Sequence, residues 1–384
     1  MRSRLALLAA TVAVAALAGA PEAQASRFIQ PGIYDDAQIL YGDADTVFPR
    51  LAEMHTKLIR VNLWWGGPAL TVAKRRPANA SDPDDPAYDW GTYDRTVRYA
   101  RIYGMRVVFS IVGTPRWANG GKSWNTAPTR PTDLRAFARA AARRYSGRFP
   151  GPDGAVLPAV RFWLAWNEPN NPVFLMPQFV RVKGAWVIRS AQSYAQMCNA
   201  IVTGTKSVSR SNKVACGVTS PRGNNNPNSS RTSVAPLAFL RAMKTAGAKG
   251  FDAYAHHPYY GRRSETPVTP PPTPPRGQPP TAVTLGNFQV LTTELRKLYG
   301  KKRIWVTEYG YQTNPPDKLF GVSYAQQAAY MEQAFQKLKA NPLVDMFIWF
   351  LIRDEVRADG WQSGVFTRSW QRKPSREIFE NLLG

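Results

Sequence analysis

Residues 159–170 read Ala159-Val160-Arg161-Phe162-Trp163-Leu164-Ala165-Trp166-Asn167-Glu168-Pro169-Asn170. The first eight are almost unbroken in apolar character, as a short strand covered on both faces must be. The run ends on a carboxylate. Pro169 disfavours the right-handed helical region for Glu168, so the acid is expected to stay extended at the strand tip. Asn167 sets an amide beside it, and Trp166 offers a flat apolar surface. The pattern recurs in Arg303-Ile304-Trp305-Val306-Thr307-Glu308-Tyr309-Gly310, again a strand-like run closing on a glutamate beside an aromatic.

Working outward, the same kind of segment recurs along the chain. Strands are expected at Gly32–Asp35, Leu58–Trp64, Arg106–Val112, Val160–Trp166, Lys213–Val218, Phe251–His256, Arg303–Glu308 and Met346–Leu351. Helical spacing fills the gaps at Asp94–Tyr103, Leu134–Tyr145 (after a cap at Thr132), Tyr194–Ser207, Leu237–Ala246, Phe288–Tyr299, Tyr324–Lys339 (after Ser323) and Arg376–Leu383. Eight strands alternating with helices predict a (β/α)8 TIM barrel, one domain over residues 26–384. A doubly wound sheet ranks second, because no Gly-rich phosphate fingerprint follows the first strand.

Three long strand-to-helix loops interrupt the series: Gly66–Trp90, Pro221–Ser233 and the Pro/Thr-rich Ser264–Pro280. All three follow strands, which in a barrel sets them on the face where sites are built. Before the barrel, Arg2 and Arg4 precede the apolar stretch Leu5 to Leu17, and Ala23-Gln24-Ala25 supplies a small-x-small cleavage site. Residues 1–25 therefore read as a secretory signal peptide, giving a secreted protein without stable membrane insertion.

The chain carries two cysteines and three histidines, too few for an expected zinc site. Cys198 and Cys216 fit either one disulfide in an oxidising compartment or two buried thiols. The formal net charge is +24. Two readings fit it: a polyanionic partner such as an acidic polysaccharide, or a basic surface with no specific partner. The basic residues are scattered and no nucleic-acid motif accompanies them, so no nucleic-acid partner is expected. The protein is expected to be a monomer.

Two strand-end carboxylates, on the fourth and seventh of eight strands, match the demands of glycosidic bond cleavage. One group must protonate the leaving oxygen, and an anion must face the developing oxocarbenium centre. Trp166-Asn167-Glu168-Pro169-Asn170 resembles the signature of the large clan of retaining glycoside hydrolases, cellulase-like and β-xylosidase-like, whose barrels carry glutamates on strands four and seven. Leu58-Ile59-Arg60-Val61-Asn62, Gly113-Thr114-Pro115-Arg116-Trp117-Ala118 and His257-Pro258-Tyr259 are similar to its second-, third- and sixth-strand segments. The resemblance implies Glu168 as acid/base and Glu308 as nucleophile. It also implies Asn167 on the sugar 2-hydroxyl, Arg60 and Tyr259 against Glu308, and supporting roles for His257, Trp117 and a platform aromatic at Trp349. It implies a β-linked carbohydrate substrate, with an anionic polysaccharide among the candidates, and no metal or organic cofactor. The competing reading is a catalytically inactive carbohydrate- or wall-binding barrel.

Strand parity adds two expectations. Trp64 and Trp65 must point opposite ways, so at least one is core. Either His256 or His257 faces the cleft. His55 is expected in a helix before the second strand, in a surface or packing role.

Overall fold

The computed structural model describes residues 29–67, 71–276 and 280–383. The export segment expected at 1–25 lies outside the described residues. Eight parallel strands close into a barrel: β1 (Gln30–Tyr34), β2 (Leu58–Trp64), β3 (Arg106–Val112), β4 (Phe162–Ala165), β5 (Lys213–Thr219), β6 (Ala253–His256), β7 (Arg303–Tyr309) and β8 (Val344–Phe350). Each strand pairs with its sequence neighbours, and β8 closes on β1 through Gln30↔Met346 to Tyr34↔Phe350. All eight expected strands form, with ends displaced by a residue or two.

The helices are α1 (Asp36–Ile39), α2 (Ala44–Glu53), α3 (Gly91–Ile102), α4 (Pro131–Arg144), α5 (Arg189–Lys206), α6 (Pro236–Thr245), α7 (Gln289–Tyr299), α8 (Tyr324–Lys339) and α9 (Pro374–Glu380). Ser323 caps α8 reciprocally with Gln326, satisfying two backbone donors. Thr132 does not cap α4. Pro131, which needs no amide partner, takes the first helical position and draws Thr132 into the helix. His55 lies just past α2 at φ 55°, exposed, with Nδ1 facing the Glu380 carbonyl at 3.2 Å. A hairpin, Phe179–Val182 with Ala185–Ile188, was not expected. Its Lys183-Gly184 turn has both φ positive (49° and 84°), the conformation that two-residue hairpin loops favour.

Alternation along each strand divides the core. Leu58, Val108, Leu164, Ala253, Trp305 and Met346 fill the barrel interior, while Ile59, Val61, Leu63 and Trp163 pack outward against helices. Toward the strand C-terminal ends the inward positions of β2 become polar, at Arg60 and Asn62. Two irregularities re-aim side chains there. On β7 the register moves from Val306↔Phe347 to Tyr309↔Trp349, one residue more on β7 than on β8. On β5 it shifts between Gly217 and Thr219, with Val218 at φ 48°. Such bulges are a known device for turning a side chain toward a site.

Cys198 on α5 and Cys216 on β5 form a disulfide, both residues buried and their Cα atoms 6.0 Å apart. Replacing both by alanine is expected to lower unfolding stability by about 3 kcal/mol, from lost loop constraint in the unfolded chain. A denaturant midpoint unchanged from wild type would contradict this. Among the described residues, no helix is long and apolar enough to cross a membrane.

Candidate active site

A cavity of about 700 Å³ opens at the C-terminal end of the barrel, and both Glu168 and Glu308 line it. Its other walls include Tyr34 at the end of β1, Tyr259 after β6, Phe350 on β8 and Trp361 in the loop that follows. Its size and its mix of aromatic and polar walls suit a small-molecule or oligomer subsite.

Glu168 does not stay extended. Its φ is 39°, and that of Trp166 is 71°. Proline disfavours the right-handed helical region for the preceding residue, and the observed φ lies in the left-handed one. The chain takes that option because β4 stops at Ala165 and must turn. The Glu168 amide donates to the Val218 carbonyl at 2.8 Å, and its carbonyl accepts from Asn171 at 2.9 Å. Non-glycine residues at such angles cost of order 1–3 kcal/mol and concentrate at functional sites.

The Glu168 side chain faces inward, Oε2 accepting from Asn171 Nδ2 at 2.9 Å and Oε1 lying 3.0 Å from His257 Nδ1. Burial raises its pKa to about 7, against smaller opposing effects from the Asn171 hydrogen bond and the Arg60 charge.

Glu308 has a different environment. Arg60 Nη1 donates to its Oε2 at 2.9 Å, and the Tyr259 hydroxyl donates to its Oε1 at 3.1 Å. Arg60 itself is fully buried. It also donates to the Thr307 carbonyl at 2.9 Å and to Asn167 Oδ1, and its guanidinium lies 4.2 Å over the Tyr34 ring. One buried cation thus holds the strand-seven acid and the amide beside the strand-four acid together.

His257 bridges the two carboxylates. Its Nδ1 lies 3.0 Å from Glu168 and 3.7 Å from Glu308, and its Nε2 lies 3.0 Å from Thr307 Oγ1 and 3.3 Å from Arg60 Nη1. Burial lowers its pKa to about 3, so the ring is neutral. Arginine can only donate, which makes Nε2 the acceptor and Nδ1–H the donor to Glu168. Glu168, His257 and Glu308 each present a ligand-type atom within 4.8 Å of the others. The donor set fits a metal poorly, because the Arg60 guanidinium already occupies the cationic position beside Glu308 and His257.

The structure therefore gathers Glu168, Glu308, Asn167, Arg60, His257 and Tyr259 at one cleft. It does not bring Trp349 there. Met346, Ile348 and Phe350 take the inward positions of β8, so Trp349 faces outward, fully buried, its indole donating to the Ser363 carbonyl at 2.8 Å. The aromatic surface on that side is Phe350, edge-on to Trp361 at 5.3 Å. Trp117 also lies outside the cleft, lining a separate cavity over β2 and β3. Trp65 is core and Trp64 is half-buried. His256 points away from the carboxylates, held by Thr219 and the Val283 carbonyl.

Sequence reasoning missed Tyr34, Asn171, Phe350 and Trp361. Asn171 had a signal, an amide three residues beyond Glu168 in a turn-forming stretch. Asp36 was also missed. Both its carboxylate oxygens accept from Asn62, and burial raises its pKa to about 7.

A model for DUF5722, a family of unknown function, matches residues 122–382. That stretch includes both glutamates and excludes β1, β2 and β3. No curated protein matches the chain by sequence. Among solved structures, the fold is similar to a glucosidase from Croceicoccus marinus, with TM-score 0.63, 16% identity, and 92% of this chain and 67% of that one covered. It is similar to a family 39 glycoside hydrolase from the gut symbiont Bacteroides cellulosilyticus WH2 (TM-score 0.62, 16% identity, 94% of this chain and 64% of that one). A fungal β-1,4-galactanase matches with TM-score 0.56 and 14% identity, covering 92% of this chain and 99% of that one. The chain thus spans about two-thirds of the length of the first two. At these identities the likeness establishes a shared barrel fold.

Proposed function

We propose that this chain, which belongs to the DUF5722 family of unknown function, is a glycoside hydrolase that cleaves β-linked sugars with retention of configuration. The observation that carries the reading is the pair of buried glutamates facing one cleft, with oxygens within 4.8 Å of each other. Retaining enzymes hold their carboxyl groups about 5–5.5 Å apart, whereas inverting ones need roughly 6.5–9.5 Å to admit water between them. That the similar solved structures include a glucosidase and a family 39 glycoside hydrolase favours the same reading at the level of fold.

In the first step Glu308 attacks the anomeric carbon. The bond to the leaving oxygen breaks, and that oxygen takes the proton of Glu168. In the second step Glu168 accepts a proton from water, the water oxygen attacks the same carbon, and the bond to Glu308 breaks. Arg60 and Tyr259 hold the Glu308 carboxylate and aim it. His257, neutral and fixed by Thr307, orients Glu168. Asn167, tied to Arg60, lies beside the position of the sugar 2-hydroxyl.

The same proposal sets the action outside the cytoplasm, by a monomer. It draws on the export-like residues 1–25 and on the Cys198–Cys216 disulfide, a bond typical of oxidising compartments.

Hydrolysis by the wild-type protein of at least one member of a panel of aryl β-glycosides and β-linked polysaccharides tests the reading. Binding of oligosaccharides without any hydrolysis would instead support a binding barrel.

A pH dependence follows from Glu168. Its raised pKa keeps the proton needed for the first step, and that proton is lost as pH climbs through about 7. For substrates with poor leaving groups, kcat/KM should fall about tenfold per unit above that value. His257 contributes nothing to this limb, being neutral throughout. The limb should persist in Asp36→Asn, because Asp36 donates no proton to the substrate. A profile flat to pH 9 would contradict the assignment.

A further inference from the structure

We propose that the second cavity, over the ends of β2 and β3, binds an acidic sugar unit of the same glycan. The substrate is then an anionic β-linked chain bearing carboxylate or sulfate groups. The inference rests on the glycosidase reading and specifies its substrate class.

The cavity holds about 610 Å³. Lys74, Arg75, Arg76, Arg116 and Lys122 line it, with no carboxylate among its described lining residues. Lys74 is paired to Asp89 at 3.1 Å, whereas Arg76, Arg116 and Lys122 have no carboxylate within ion-pair distance among the described residues. Several uncompensated cations around one concavity focus a positive potential into it.

Part of this set is held rigidly. Arg76 Nη2 donates to the Trp117 carbonyl at 2.8 Å, and its guanidinium stacks 4.8 Å over the Trp117 ring. Trp117 Nε1 donates in turn to the Ala73 carbonyl at 3.3 Å. A guanidinium fixed in this way meets a carboxylate or sulfate at little entropic cost. Thr114 also lines the cavity, almost wholly buried, and its hydroxyl has no hydrogen-bond partner. The hydroxyl itself is enclosed, so Thr114 contributes wall rather than a ligand contact.

The cavity adjoins the catalytic cleft across one aromatic wall. Trp124 lines the basic cavity and meets Phe174, a wall of the cleft, edge-on at 6.2 Å. The loops carrying them are stitched together, Met176 donating to the Asn125 carbonyl at 2.7 Å and Asn125 Nδ2 to Pro172 O at 3.2 Å. A linear glycan crossing that wall would seat its scissile bond at the glutamates and an acidic unit among the cations. Arg231, which also lines the cleft, adds a further cation.

The test is calorimetric binding to Glu168→Gln, which keeps the cleft and leaves the oligosaccharide intact. The probes are β-linked uronate oligosaccharides (from glucuronoxylan, hyaluronan and mannuronan), their carboxyl-reduced counterparts, chondroitin sulfate hexasaccharide, and a DNA oligonucleotide of equal charge. At least one acidic glycan should bind about 10-fold or more tighter than its neutral counterpart, and more weakly as salt rises. Adding Arg76→Gln, Arg116→Gln and Lys122→Gln together should lower that affinity about 100-fold while changing the neutral counterpart's less than about threefold. Thermal melting checks that the variant is folded. Tighter binding of the uronates or of the sulfated probe identifies which anion is read.

Equal affinity for acidic and neutral probes, equal losses for both in the triple variant, no glycan binding, or tighter binding of the DNA would each overturn the inference. Acidic-glycan binding that obeys these rules without hydrolysis by wild type would leave this site standing and remove the glycosidase reading instead.

Discussion

Replacing Glu308 by glutamine should reduce turnover of aryl β-glycosides by at least about 10,000-fold, because the amide cannot form the glycosyl ester. The substitution keeps the shape of the side chain, and its amide oxygen can still accept from Arg60 Nη1, which now lies 2.9 Å from the carboxylate. The loss should therefore appear in kcat for every substrate, good and poor leaving groups alike, in protein shown by thermal melting to be folded. Arg60→Lys is not an equivalent probe. The guanidinium also holds Asn167 and the Thr307 carbonyl, so its loss would blur catalysis with misfolding. Turnover close to wild type in Glu308→Gln, measured on purified folded protein, would remove the nucleophile assignment.

The second large effect belongs to Glu168, and its pattern differs. Glu168→Gln should slow hydrolysis of substrates with poor leaving groups by about 100- to 10,000-fold, the usual contribution of a positioned acid. An activated aryl leaving group needs no proton, so formation of the glycosyl-enzyme should then be nearly normal. Water lacks its base in the second step, and the covalent intermediate should accumulate. Azide, which needs no base, should restore turnover and give a glycosyl azide. The Glu308 variant should show no such rescue of this β-product. Loss of activity independent of the leaving group and insensitive to azide would mean that Glu168 is not the acid/base.

How far these roles could be read in advance depended on the kind of signal. Apolar runs bounded by loop residues marked all eight strands, because burial on both faces leaves little choice of side chain. Arg60 was placed against Glu308 by the resemblance, and Asn62, two residues on, shares its face of β2 by strand periodicity. The failures lie where that periodicity breaks. Perfect alternation from the inward Trp305 would turn Glu308 outward, and the extra residue in β7 turns it to the cleft. On β8 a one-residue question of parity decided between Trp349 and Phe350, and the resemblance chose the outward one. Glu168 turned into the left-handed region because its amide found a partner on β5, a contact between segments fifty residues apart. Trp361 reaches the cleft from a loop beyond the last strand, and Trp117 belongs to a neighbouring cavity. Loop reach of this kind leaves no periodic trace.

The charge shows a similar split. A net +24 suggested either a polyanion or a merely basic surface. Composition cannot distinguish them. The clustering of uncompensated cations around Trp117, one aromatic wall away from the glutamates, favours the polyanion.

Glu168 and Glu308 are proposed to act as a retaining pair. The most direct test is proton NMR of the first sugar released from the best aryl β-glycoside, recorded before mutarotation. With retention, the β-anomer appears first and the α-anomer grows in later. First release of the α-anomer would contradict it.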